Sequence, residues 1–412
     1  MRRAAPRRSD LRSPTAVRAP ELTSTPPDHT QRLIAQSDQR ARQLKTDRVA
    51  DVAVETSERM AWMDTLRGIA VVLVILLHAG EGLRHYATSL PEIIDDVNEL
   101  FEPYRMPTLA FLSGMLLQRS LAKNPARYLK GKAARVAWPY VVWSLIVLGV
   151  SNNPTPSELA RIVYYPPTYL WYLYFLLIFY AVGLVLRRLP PMVLVAAGLA
   201  GAAVLPATWR LDKLAFLMAM FFLGDWVLKN VDLWKSWLEK AWLLRVCCGL
   251  VAVGALLDAL EVRVLYETWY VWAVVAWLVI AIRLIPKIPA GRATDALNEV
   301  GRNSLIYYVS HLVPIKVLGT LLERLGYDDP WTMYPLLVAT GLLAPTALLV
   351  LSKRVHLVTW LFAFPGREER SAFRSAVVAG LRSRRVSVPE PARFRSSASR
   401  PLPPIQRASA GM

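Results

Sequence analysis

Residues 271–282 read Val271-Trp272-Ala273-Val274-Val275-Ala276-Trp277-Leu278-Val279-Ile280-Ala281-Ile282, an unbroken apolar run without an ionisable side chain. Val141–Val150, Val193–Leu205, Leu214–Leu223 and Leu336–Leu351 are blocks of the same kind. A soluble chain that is 54% hydrophobic would scatter its apolar residues in short, patterned stretches. These blocks, with their flanks added, reach the roughly 20 apolar residues that a bilayer-crossing helix requires. Lipid offers backbone groups no hydrogen bonds, so each block has to be helical. The expected fold class is all-α: a polytopic transmembrane bundle of about ten helices.

The spans fall at about 62–85, 104–121, 134–151, 168–188, 190–206, 211–228, 241–258, 264–284, 301–322 and 332–352. Loop charge gives an independent check. The second loop carries Arg119, Lys123, Arg127, Lys130, Lys132 and Arg135, the fourth Arg187 and Arg188, the sixth Lys229, Lys235 and Lys240, the eighth Arg283, Lys287 and Arg292. The first loop carries Glu92, Asp95, Asp96 and Glu99, and the ninth Asp328 and Asp329. This alternation places both termini in the cytoplasm of a multi-pass protein of the cell's inner (plasma) membrane.

The chain divides into a basic tail over 1–58, a membrane domain over 59–355 and a second basic tail over 356–412. Both tails lack apolar periodicity and read as largely disordered. Residues 1–60 hold 12 Lys and Arg against 8 Asp and Glu, and residues 353–412 hold 12 against 3. Most of the net charge of +18 therefore lies in the tails, where it acts as a topology signal. That argues against nucleic acid as a partner. The two cysteines, Cys247 and Cys248, are adjacent in an apolar block and have no metal-ligand spacing, so no metal site is expected.

The first span is different from the others. Its apolar stretch, Ile69–Ala79, is too short to cross alone, so polar residues flank it at membrane depth. At 100° per residue Asp64, Arg67, His78, Glu81 and His85 form one stripe. Ionisable residues within a membrane face a bundle interior or a water-filled cavity, and mark function. With the N-terminus inside, Arg67 lies near the cytoplasmic interface, and His78 lies about 16 Å further along, near the midplane. A cation at the inner mouth suits the phosphates of a cytoplasmic donor. The imidazole suits proton abstraction from a hydroxyl, with Glu81 one turn on to orient it. His78 and Glu81 are thus the expected catalytic pair.

The string Asp64-x-Leu66-Arg67-Gly68-Ile69-Ala70, with Arg67-x10-His78, resembles the first-helix signature of the acyltransferase-3 family of membrane O-acyltransferases. Arg105-Met106-Pro107 followed by Phe111-Leu112-Ser113-Gly114 resembles the family's second helix, and Arg135 to Trp143 its third-helix entry. Trp171-Tyr172-Leu173, Phe221-Phe222-Leu223-Gly224 and Gly301-Arg302-Asn303-Ser304-Leu305 to His311 fit later landmarks. The ordered set covers roughly residues 60–355. The resemblance implies transfer of an acyl group, acetyl being the commoner activity, from cytoplasmic acyl-CoA to a carbohydrate or glycan outside the cell. It implies no permanently bound cofactor, because acyl-CoA is a substrate. The family's Arg-x-x-Arg pair maps onto Lys132-Ala133-Ala134-Arg135, where Lys132 keeps the charge but loses the bidentate fork. Arg67, Lys132 and Arg135 are then the donor-binding residues.

Three more residues are acceptor candidates. Arg105, at the outer end of the second span, either contacts the acceptor or pairs with an acid such as Glu81. His311 shares a face with Ser304, Tyr307 and Tyr308, and Trp171 starts the fourth span where an aromatic ring can stack on a sugar. The competing function class is a transporter or flippase for a glycan or lipid-linked sugar, which commonly shows an internal repeat. None is found: the polar stripe of the first span has no counterpart in the sixth or seventh. The sequence leaves open the acceptor, acetyl against succinyl, and direct transfer against an acyl-histidine intermediate. The topology is directly testable. A reporter fused after residue 124 is expected to read cytoplasmic and one near Asp95 external, and both on one side would overturn the span order.

Overall fold

The computed structural model describes residues 61–87, 91–151 and 155–365, and these residues from Trp62 onward form one compact unit. Among the described residues the chain is helical without strands. The main helices are α1 (Ala61–Tyr86), α2 (Glu92–Met115), α3 (Pro125–Val150), α4 (Thr168–Val185), α5 (Pro191–Val204) and α6 (Leu211–Lys229). They continue as α7 (Val231–Leu238), α8 (Ala241–Ala259), α9 (Thr268–Lys287), α10 (Arg292–Arg302), α11 (Ser304–Arg324) and α12 (Pro330–Arg354).

Helices stand at all ten expected span positions, yet they are not equivalent. Seven of them (α1, α3, α4, α8, α9, α11 and α12) are long and apolar enough to cross a membrane. An eighth span results if α6 and α7, bent by 91° at Asn230, count as one. The helix in the second position starts at Glu92 and carries Asp95, Asp96, Glu99 and Glu102 in its first three turns. The helix in the fifth position, α5, has 14 residues and so extends only about 21 Å. It packs tightly on α6 instead: a Cβ on Gly198 would stand 2.9 Å from Ala219 Cβ.

Two crossings bring backbone against backbone. A Cβ placed on Gly114 of α2 would lie 1.7 Å from Phe221 O of α6, and one on Gly224 of α6 would lie 2.0 Å from Phe111 O of α2. The same reciprocity joins α1 to α10: a Cβ on Gly68 would meet Leu297 O at 2.1 Å, and one on Gly301 would meet Asp64 O at 1.8 Å. In lipid, helix association depends on such close van der Waals contact at small residues. The short motifs, scattered along the sequence, therefore meet in pairs.

α3 is interrupted by a π-turn over Ala133–Ala137. Pro139 has no amide for the carbonyl of Arg135, and the ladder widens around that gap. Ala134 O accepts from Phe364 N at 2.9 Å instead. Trp138 and Trp143 donate their indole N–H groups to Trp360 O and Leu361 O at 2.6 and 3.1 Å. Residues 356–365, expected as part of the second tail, thus fold back on α3, because buried indole donors require acceptors. The expected tail over 1–58 and the chain beyond 365 lie outside the described residues.

Gly114→Val is expected to destabilise the purified protein by at least the ~1–3 kcal/mol of an overpacked core. Gly249→Ala, where nothing lies within 4 Å, is the control. Thermal unfolding in detergent reads both. An unchanged Tm for Gly114→Val would remove the α2–α6 contact as a constraint on the fold.

Candidate active site

The polar stripe of α1 is intact in the structure. Toward its C-terminal end His78 Nδ1 lies 2.7 Å from Glu81 Oε2. A carboxylate only accepts, so Nδ1 carries a proton, and in the neutral ring the lone pair is on Nε2. Toward the other end Arg67 Nη1 is 3.4 Å from Asp64 Oδ1, and its Nη2 donates to Leu112 O of α2 at 3.4 Å.

α11 contributes the second imidazole. Pro314 lacks the amide that would bond Ser310 O, and the helix is interrupted at His311, between Ser304–Ser310 and Leu312–Arg324. The His311 ring stacks on His78 with centroids 5.2 Å apart and planes 27° apart. Its Nδ1 donates to Tyr307 O at 2.9 Å, and its Nε2 has no hydrogen-bond partner among the described residues. Tyr169, in the first turn of α4, sets its ring across both imidazoles, 6.0 Å from His78 and 5.2 Å from His311. Its hydroxyl donates to Val309 O, while Tyr308 donates its own hydroxyl to Tyr169 O. Three helices therefore hold His78 in a cage of rings.

A cavity of about 480 Å³ opens on this cage, lined by His78, Glu81, His85, Tyr169, Trp171, Arg210 and Lys316 among others. A smaller one of about 90 Å³ lies beside Arg67, with Ser113, Tyr172, Ser304 and Tyr308. Tyr308 lines the smaller cavity and Tyr169 the larger, and the two rings touch at 5.9 Å. These tyrosines partition the arginine end of α1 from the histidine end.

The remaining expected residues divide. Trp171 lines the large cavity, with Lys213 Nζ 4.8 Å over its ring. Lys132 turns inward: its Nζ lies 3.3 Å over the Tyr180 ring and donates to Ser120 Oγ at 3.3 Å. Arg135, in the π-turn, is exposed. Arg105 stands apart from the cavity. It is buried and donates to the backbone oxygens of Leu73 at 3.2 Å and Asn98 at 2.5 Å, with no ion pair to Glu81 or Glu102. A buried guanidinium has five donors to place, and these two carbonyls accept from two of its nitrogens. His311, expected in the acceptor cavity, is fully buried beside His78 rather than on the cavity lining.

Sequence reading passed over Tyr169, Arg210 and Lys316. Lys316 carried a usable signal, being an ionisable residue inside an apolar span. Tyr169 and Arg210 carried none, because aromatics and arginines are ordinary at span ends.

A family model described as an acyltransferase domain matches residues 60–350. The inner membrane protein YcfT of Escherichia coli (strain K12) is 21% identical, over 65% of this chain and 84% of its own length. No solved structure matches the chain. The matched region runs from the polar stripe of α1 through His311 into α12, so the residues that assemble the cage all lie within it. The chain is a multi-pass membrane protein and belongs to the acyltransferase-3 family.

Proposed function

We propose that this protein transfers an acyl group, acetyl in preference to succinyl, from cytoplasmic acyl-CoA to a hydroxyl of an extracytoplasmic carbohydrate or glycan. The observation that carries the reading is His78: bonded to a carboxylate, stacked on a second imidazole, and on the wall of a cavity. The sidedness rests on the loop charges, with both termini in the cytoplasm, and the inner membrane relative supports the location.

In direct transfer, His78 Nε2 takes the proton of the attacking hydroxyl as its oxygen bonds to the thioester carbonyl carbon. Collapse of the tetrahedral intermediate breaks the C–S bond, and the departing thiolate of CoA takes that proton from the imidazolium. Glu81 accepts from Nδ1 throughout, holds the tautomer and offsets the transient positive charge. If His78 instead carries the acyl group, Nε2 bonds to the thioester carbon as the C–S bond breaks and CoA leaves as thiolate; the hydroxyl, arriving second, displaces Nε2, which takes its proton and later returns it to the thiolate. Both routes need the ring held still, which His311 and Tyr169 do. We assign His311 to positioning. Arg67 and Lys132 supply positive charge for the donor's phosphates across the tyrosine partition, with Arg135 at the exposed face of the same region.

His78→Ala is expected to lower transfer of labelled acetyl from acetyl-CoA into glycan by ~10²–10⁴-fold, and His78→Gln not to rescue it. Glu81→Gln is expected to cost less and to shift the pH profile. Transfer by His78→Ala within a few-fold of the parent, in membranes with equal amounts of protein, would sink the mechanism. For the donor, Arg67→Ala is expected to raise the acetyl-CoA KM about tenfold or more, whereas Lys132→Arg retains activity. Unchanged donor kinetics in Arg67→Ala would take that residue out of the CoA site.

A further inference from the structure

The charges around the reaction cavity do not balance. Glu81 is the one carboxylate among its lining residues, and it is already bonded to His78. Arg210 and Lys316 line the same cavity, and neither side chain has a hydrogen-bond or ion-pair partner among the described residues. Lys316 is the more telling of the two. It lies past the middle of α11, a helix long and apolar enough to span, where an unpaired ammonium is costly unless it faces a cavity or a ligand. Three other cations at this end of the bundle are engaged: Arg84 pairs with Asp95, Arg263 with Glu267, and Lys213 rests on the rings of Trp171 and Tyr266.

Arg210 is held by an unusual backbone. Trp209 (φ 63, ψ 10) and Arg210 (φ 59, ψ 34) are consecutive non-glycine residues in the left-handed region. Thr168, also on the cavity wall, has φ 39. A chain keeps such conformations where surrounding structure over-determines them, and they cluster at ligand clamps. Here the turn brings a guanidinium to the wall of the cavity that contains His78, a wall to which α11 contributes Lys316. A guanidinium and an ammonium without internal counter-charges form a receptor for a carboxylate or phosphate oxygen pair.

We infer that the acceptor entering the His78 cavity is an anionic carbohydrate, its carboxylate or phosphate held by Arg210 and Lys316 while a neighbouring hydroxyl meets His78. This rests on the reading of the protein as a carbohydrate acyltransferase. The position of the charge then selects which hydroxyl is acylated, because the anion anchors the sugar at a second point.

The test uses the full chain in membranes, with labelled acetyl-CoA and unacylated envelope glycan from cells lacking the gene. One portion of glycan is left intact, one has its carboxyl groups reduced to alcohols, and one is stripped of phosphate with hydrofluoric acid. Loss of transfer by about tenfold or more in one treated portion is expected, and which portion fails identifies the anion. Arg210→Gln and Lys316→Gln, on separate elements and checked for folding by size exclusion, are expected to raise the KM for glycan about tenfold or more, with acetyl-CoA KM unchanged. Arg210→Lys is expected to fall between parent and Arg210→Gln. Equal transfer to all three portions overturns the anionic acceptor and leaves acyl transfer standing. A raised acetyl-CoA KM with unchanged glycan KM overturns it too, by assigning the cations to the donor phosphates. No transfer to any portion removes the carbohydrate acyltransferase reading, and this inference with it.

Discussion

The contact on which the architecture depends is the approach of α2 to α6 at Gly114 and Gly224, where each glycine lies against the other helix's carbonyl. A bilayer supplies no hydrophobic force to press helices together, so the gain comes from close packing, and any side chain there would remove it. The second crossing, Gly68 and Gly301, anchors the N-terminal end of α1 against α10. With its backbone seated against α10 there, α1 has little freedom to rotate. Rotation of α1 by one residue, 100°, would carry His78 away from α11 and Glu81 away from the cavity.

The site is built on that rigidity. His78 is defined by three neighbours with different tasks: Glu81 fixes its tautomer, His311 its ring plane, and Tyr169 its edge. His311 is available for stacking because Pro314 interrupts α11 at that point, and Tyr169 is held by hydroxyl bonds running in both directions between α4 and α11. Tyr169 and Tyr308 then separate a small cavity beside Arg67 from a large one beside His78. Such a division is what the proposed two-sided transfer would require, because it would keep a reactive donor away from water until the acceptor arrived.

Lys132 illustrates how a motif departs from its family pattern without losing its place. An arginine there would present a fork to phosphate, whereas the lysine lies 3.3 Å over the Tyr180 ring. Arg105 illustrates the opposite. Within a matching motif, it donates to backbone carbonyls of α1 and α2 and is absent from the lining of the cavity at His78.

Hydrophobic block length and loop charge follow from composition alone, and for that reason the all-helical membrane fold and the ten helical positions were legible in the chain. So was the stripe of α1, because one helix converts sequence spacing directly into direction: 100° and about 1.5 Å per residue placed Arg67, His78 and Glu81 on one face. The unequal lengths of the helices were partly hidden, since the proline hairpin before α5 and the bend between α6 and α7 depend on packing against neighbours. The partners of His78 were hidden altogether. His311 and Tyr169 lie more than 90 residues away in the chain, and ring contacts across three helices depend on crossing angles set by glycines elsewhere. Sequence determined which residues can do chemistry, because ionisable groups in lipid are costly without a purpose. Tertiary structure alone decided which of them meet, because helix packing in a bilayer is settled by close contact between surfaces that no single segment contains.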